Sequence, residues 1–198
     1  MNSYQLIGDV KINLPAYSPR IASAKRAGRQ AQHDKYKYYE TMNKQIKAIL
    51  TDFSWVLLFP KDEKFTGKLN AFYEKLKEDS EFDFWDYFKL NDELLNFYKN
   101  SPLDVYVFTS AYIQEHPPLA AKLDGFFKET FSAARLNLKK TESDSYKTLA
   151  VEINLKPEEI LFIDDRPEHN VAAKEAGMVA IQYQSNEQVM REVDKIIN

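Results

Sequence analysis

The stretch LFIDDRPEHN sets two acids, Asp164 and Asp165, side by side at the end of an apolar run. Adjacent carboxylates repel, and burying either is costly unless a cation compensates. A hard divalent ion such as Mg2+ takes oxygen donors of this kind. The alternative is a helix N-cap with an acidic neighbour, because a helix follows a few residues on. A third acid, Asp52, stands in the middle of IKAILTDFSWVLLFP, where a lone carboxylate inside an apolar run also needs a partner. Thr109 and Ser110 close the run DVYVFTS; in isolation such a pair is most often a loop starter. An attacking carboxylate, metal-binding acids and an anion-holding hydroxyl are the parts of metal-assisted nucleophilic chemistry, provided that the fold gathers them.

The surrounding pattern predicts that gathering. Apolar, β-branched runs at 48–59, 104–110, 130–134, 158–165 and 179–183 read as buried strands. Helical spacing falls between them, at 66–77, 82–88, 91–100, about 119–123, 143–154, 170–176 and 187–197. Strands alternating with helices of this length imply right-handed βαβ units, hence a three-layer α/β fold with a central parallel sheet. Sites in such sheets form at the carboxyl ends of the strands. Asp52, Thr109, Asp164 and Asp165 all fall within or at the ends of these runs.

At 198 residues the chain fits one well-buried core with additions. Its 44% apolar and 29% charged residues describe a folding sequence. Residues 1–48 hold nine Lys/Arg against three Asp/Glu, a balance of +6, which leaves −9 for the remainder of a chain whose net charge is −3. We therefore separate a basic N-terminal arm, residues 1–47, from a core at 48–198 that carries a small helical insert at 60–90. The arm has little periodicity up to residue 19 beyond a short strand around Val10–Leu14. From Ser18 to about Lys47 it is rich in Ala, Lys, Arg and Gln, which predicts a helical extension. Cysteine is absent, which excludes disulfides, thiolate metal sites and a cysteine nucleophile and suggests a reducing compartment. With no apolar stretch near 18 residues and no signal-type leader, the expected location is the cytoplasm.

Residues 48–183 resemble the haloacid dehalogenase (HAD)-like hydrolase superfamily, in the dehalogenase-like subfamily whose last motif is an Asp-Asp pair. ILTDFSWVLL is similar to the nucleophile motif, VYVFTS to the second motif, ARLNLKKTESDSYKTL to the region around the lysine, and EILFIDDRPEHNVAAKEAGMVAIQY to the metal motif and its following helix. The resemblance implies a Rossmann-like HAD core and a Mg2+-dependent phosphatase that works through an aspartyl phosphate. Asp52 takes the place of the attacking carboxylate, with Thr109, Ser110 and Lys140 holding the phosphoryl group. Asp164 and Asp165 take the place of metal ligands with Asp52 and the Ser54 backbone carbonyl, Asp165 binding directly and Asp164 through water. Lys139 and Lys140 together also fit a solvated charged turn, and the interval to Asp164 selects Lys140.

The sequence departs from that family pattern at three points. Where the phosphatases have a second aspartate two residues after the nucleophile, this chain has Ser54, whose hydroxyl cannot serve as the acid. His169 stands where Asn or Asp usually supports the metal; it reads either as a neighbour of the metal site or, preferred on its position, as an exposed helix starter with Asn170 as the substitute. The insert is too short for a four-helix cap, so an open site is expected, and Phe82, Phe84, Trp85, Tyr87 and Phe88 form either a substrate wall or insert-to-core packing.

The expected function is hydrolysis of a small phosphorylated metabolite. The alternative is a weakly active or inert HAD scaffold that binds a partner through its arm. The arm's tyrosines and basic residues could bind RNA, an acidic partner or an anionic surface, but they suit a solvated helix laid across the acidic body or exchanged in a homodimer better; nucleic acid is not favoured, and no membrane is expected.

Overall fold

The computed structural model describes Tyr4–Ile7, Val10–Asn13 and residues 45–197. The chain divides into two units, Met1–Lys44 and Gln45–Asn198. In the first, strands β1 (Tyr4–Ile7) and β2 (Val10–Asn13) pair antiparallel, the second lying where a short strand is expected. The helix expected between residues 18 and 47 lies outside the described residues up to position 44, and 45–47 are not helical but lead straight into the core.

The second unit is built on five parallel strands in the order β7-β6-β3-β8-β9. These are β3 (Ala48–Thr51), β6 (Asp104–Thr109), β7 (Thr130–Ser132), β8 (Ile160–Asp164) and β9 (Val179–Gln182). The three central ones are nearly all apolar because both faces of the sheet are covered. Leu50, Phe108 and Phe162 pack on one side with Tyr146 and Leu149 of α6 (Ser143–Glu152) and Ala172 and Ala173 of α7 (Pro167–Glu175). On the other side Ile49, Val107, Leu161 and Ile163 meet α1 (Leu69–Leu76), α3 (Asp92–Lys99) and α8 (Asn186–Ile197). Helix α4 (Pro117–Lys122) and the short α5 (Ala133–Leu136) flank β7. From β3 the chain builds outward through β6 to β7 and then crosses back to add β8 and β9. The crevice at that reversal, at the carboxyl ends of β3, β6 and β8, is where an open α/β sheet binds ligands.

The first apolar run, expected as a single strand over 48–59, divides in two. Strand β3 stops at Thr51, and the chain turns back so that Leu57 N and Leu58 N both donate to Phe53 O at 2.9 Å. Trp55 sits in the left-handed region at φ 65°, which a bulky residue rarely adopts. The run then resumes as β4 (Leu58–Pro60), paired antiparallel with β5 (Phe88–Leu90) outside the main sheet. Apolar character persists through both pieces because both are buried, so hydrophobicity alone could not locate the break.

The insert between β4 and β5 holds two short helices, α1 and α2 (Phe84–Tyr87). The expected helix over 82–88 is cut short because Phe88 is extended and enters β5. Asn91 ties the end of this segment to distant chain. Its Oδ1 caps α3 at Leu94 N and accepts from Asn186 Nδ2, while its Nδ2 donates to Val56 O at 2.8 Å and Asn186 Oδ1 at 2.7 Å. Asn91→Ala strips a cap and orphans buried partners, so we expect a loss of about 2–3 kcal/mol in a urea titration. A shift under 0.5 kcal/mol would mean that the clasp is redundant.

Candidate active site

The three acids converge. One carboxylate oxygen each from Asp52, Asp164 and Asp165 lies within 4.8 Å of the others. Asp52 follows β3 directly, and its N–H donates to Ile163 O at 2.7 Å, extending the ladder by one residue and fixing the side chain beside the end of β8. Asp164 ends β8 and is fully buried. Lys140 arrives from the segment before α6, its carbonyl accepting from Tyr146 Oη at 2.7 Å. Its Nζ donates to Phe108 O at 2.8 Å and stands 2.7 Å from both Asp52 Oδ1 and Asp164 Oδ2. One buried ammonium therefore faces a carbonyl and two carboxylates, enough acceptors for its three protons. Asp52 Oδ1 thus has the ammonium of Lys140 as its partner, whereas Thr109 Oγ1 is buried with no hydrogen-bond partner among the described residues.

The electrostatics separate the two acids that share Lys140. Burial pushes Asp52 up to about 7, with Lys140 pulling against it and Asp164 adding to the rise. Burial also acts to raise Asp164, but Lys140 and His169 outweigh it and hold this carboxyl below the usual range. Asp165 is pushed up to about 6 by burial and then by Asp164. Lys140, despite its burial, is held above the usual lysine range by the two carboxylates. The cluster is thus short of positive charge: one lysine faces three acids, two of which hold their protons more tightly than an ordinary carboxylate. Three acids whose oxygens lie within 4.8 Å of one another, with a single lysine to offset them, make an all-oxygen donor set of the kind a hard divalent cation such as Mg2+ takes.

A cavity of about 580 Å³ opens over this cluster, within the range of small-molecule sites. Asp52, Ser54, Ser110 and Asp165 line it; Thr109, Lys140 and Asp164 do not and stand behind its wall among fully or almost fully buried residues. Four expected residues thus face the cavity and three support it from behind. None of Phe82, Phe84, Trp85, Tyr87 and Phe88 lines it. Phe84 and Phe88 are buried and stack at 4.7 Å, and His116 stacks on Phe84 at the same distance, so of the two readings of these aromatics packing holds.

His169 is the clearest correction. Expected as an exposed helix starter, it is only 4% exposed, and its Nδ1 lies 3.1 and 3.0 Å from the two Asp164 oxygens. It sits in the first turn of α7, where it reaches back to the strand end, and it also lines the cavity. Asn170 braces the backbone instead, donating to Asp164 O at 2.8 Å and Arg166 O at 2.9 Å. Two further contributors escaped the sequence reading. Trp55 lines the cavity with its Nε1 donating to Gly67 O at 3.2 Å. Asn70 of α1 lines it too, joining Ser54 Oγ at 3.5 Å to Ile113 N at 3.2 Å. Contacts made by loops far apart in sequence leave no local signal.

Comparison with known proteins agrees with this architecture. No protein-family model matches the chain. Enolase-phosphatase E1 of Aquifex aeolicus is 34% identical over 99 residues, covering 46% of this chain and 42% of that protein. The namesake from Persephonella marina is 32% identical over 90 residues, covering 43% and 39%. The chain thus spans less than half the length of these curated relatives in the matched region. Among solved structures, a predicted HAD-like family hydrolase from Porphyromonas gingivalis aligns over 78% of this chain and 98% of its own, with a TM-score of 0.55 and 15% identity. A HAD family enzyme from Bacteroides thetaiotaomicron, solved as its magnesium complex, aligns over 75% and 98% with a TM-score of 0.53 and 16% identity.

Proposed function

We propose that this chain, whose fold is that of solved haloacid dehalogenase-like hydrolases and part of which is similar to curated phosphatases, is a Mg2+-dependent phosphatase of that superfamily that acts on a small phosphorylated metabolite. The observation that carries this reading is the convergence of Asp52, Asp164 and Asp165, the first two paired with the buried Lys140, behind and along the wall of a cavity that Asp52 and Asp165 line. The phosphatase names of the Aquifex and Persephonella relatives and the magnesium of the Bacteroides structure support it.

Asp52, ionised, attacks phosphorus and forms an aspartyl phosphate, which water then hydrolyses. Lys140 keeps Asp52 and Asp164 in place and offsets the charge that gathers as one anion approaches another. Ser110, on the cavity wall just past β6, and Thr109 behind it would orient the phosphoryl oxygens. Asp52, Asp164, Asp165 and the Ser54 carbonyl would hold Mg2+, which would supply the remaining positive charge and favour the ionised form of Asp52.

The test is phosphate release from a panel of metabolite and aryl phosphates, with and without chelator. Release that needs Mg2+ and disappears with chelator is expected. No release from any member, together with no effect of Mg2+ on melting, would sink the reading. The inert-scaffold alternative loses ground because the acids and the lysine are intact and joined. Among the described residues no helix is long and apolar enough to cross a membrane. The basic arm we assign to self-association and not to nucleic acid, a point that sedimentation of the full chain in low and high salt addresses.

A further inference from the structure

Resting on that phosphatase reading, we propose that the site selects substrates by leaving group: it takes phosphate monoesters whose oxygen departs as a delocalised anion, such as aryl phosphates, in preference to alkyl phosphates. The first ground is the set of proton donors around the cavity. Ser54, on the turn just past Asp52, lines the cavity, and its Oγ accepts from Asn70 Nδ2 at 3.5 Å. Asn70 is itself anchored by Ile113 N, so a hydroxyl and an amide occupy the space beside the attacking carboxylate. Neither gives up a proton near neutrality, where an effective general acid must.

Of the other ionisable groups on the wall, the acids belong to the cluster and His169 is engaged at one ring nitrogen. Asp52 becomes bonded to phosphorus and Asp165 belongs to the acid cluster. His169 points Nδ1 at both Asp164 oxygens. Lys68 and Arg166 are exposed cations, the latter paired with Glu168.

The second ground is Trp55, which follows Ser54. Its ring is fixed by Gly67 O, lies within 9° of parallel to Phe65 at 6.3 Å, and lines the cavity. The strained φ of 65° presents this ring, and a flat aromatic wall suits a flat leaving group.

The step balances without an acid. As an Asp52 carboxylate oxygen bonds to phosphorus, the bond to the leaving oxygen breaks and its electron pair departs on that oxygen. The anion later takes a proton from water, and a second water splits the aspartyl phosphate into inorganic phosphate and the Asp52 carboxylate. A phenolate, whose conjugate acid titrates near about 10, leaves unaided far more readily than an alkoxide, whose conjugate acid lies near about 16, as for water.

The experiment measures kcat/KM with saturating Mg2+ for phenyl phosphates of graded phenol acidity and for alkyl phosphates. A steep fall in log kcat/KM with weaker leaving phenols is expected, with alkyl esters at least about 10²-fold slower, the scale of one missing general acid. Ser54→Asp should flatten the slope, and Trp55→Leu should raise KM for aryl more than for alkyl esters. A flat slope in the wild type overturns the proposal while leaving the phosphatase reading intact, because it means that another group protonates the leaving oxygen. Silence from every ester removes the phosphatase reading and this proposal with it. The wild-type slope decides even if a variant fails to fold.

Discussion

Asp52→Asn is expected to lower Mg2+-dependent phosphate release by about 10⁴-fold or more while the protein keeps its fold, the scale on which removal of a covalent nucleophile acts. Asparagine matches aspartate in shape, so the backbone bond from position 52 to Ile163 O and the packing around the turn are undisturbed. What changes is charge and nucleophilicity: a neutral amide does not attack phosphorus. The fold tolerates the change because Asp52 is the expensive member of the cluster, pushed up to about 7 chiefly by burial. With it neutralised, Lys140 keeps Asp164 and the Phe108 carbonyl as partners. Melting within a few degrees of wild type at pH 7, alongside the lost rate, is the expected pair of results. A variant that retained rates within tenfold of wild type would mean that water attacks the substrate directly and that Asp52 only binds metal.

The parts of the site that could be read in the sequence are those written into strand ends. Asp164 and Asp165 were visible because a charge pair closing an apolar run is unusual, and Thr109 because β6 is a clean run ending in a hydroxyl. Helices α3 and α7 were visible in outline, one through Leu94, Leu95 and Tyr98 on a single face and one through the Gly177 that follows it at φ 103°. What escaped notice depends on chain returning from a distance. His169 looked like a solvated polar residue because helical position does not reveal that the first turn of α7 packs against the carboxylate that ends β8. The break after Thr51 was hidden because β3, most of the turn and most of β4 are buried, so the run stays largely apolar across it. The clasp between Asn91 and Asn186 joins residues 95 apart, and neither position has a local reason to carry asparagine beyond a cap.

Lys140→Met gives the largest expected effect on stability, and its dependence on pH and Mg2+ distinguishes a charge effect from a packing effect. The lysine side chain is 3% exposed and the carboxylates it faces are 6% and 0% exposed. Methionine keeps most of the volume and removes the charge, which leaves Asp52 and Asp164 buried without compensation. Breaking a buried ion pair from one side costs about 3–5 kcal/mol, on the order of 10 °C in melting temperature for a chain of this size.

The sign of the pH dependence follows from protonation. In the wild type Asp52 already has a folded pKa raised above its unfolded value. It therefore binds a proton more tightly when folded, favours the fold at pH below the unfolded value near about 4, and loses that contribution as pH rises toward 7. Without Lys140 the same carboxyl rises further and Asp164, now held low largely by that lysine, rises with it. The loss should accordingly be small at pH 5, where both acids can take up protons, and full at pH 8. Mg2+ replaces the missing charge, so it should stabilise the variant more than the wild type at pH 8; each hundredfold excess over the dissociation constant contributes about 2.7 kcal/mol. A deficit equal at pH 5 and pH 8, and indifferent to Mg2+, would assign the lysine a packing role and remove the electrostatic account of how this cluster holds three acids together.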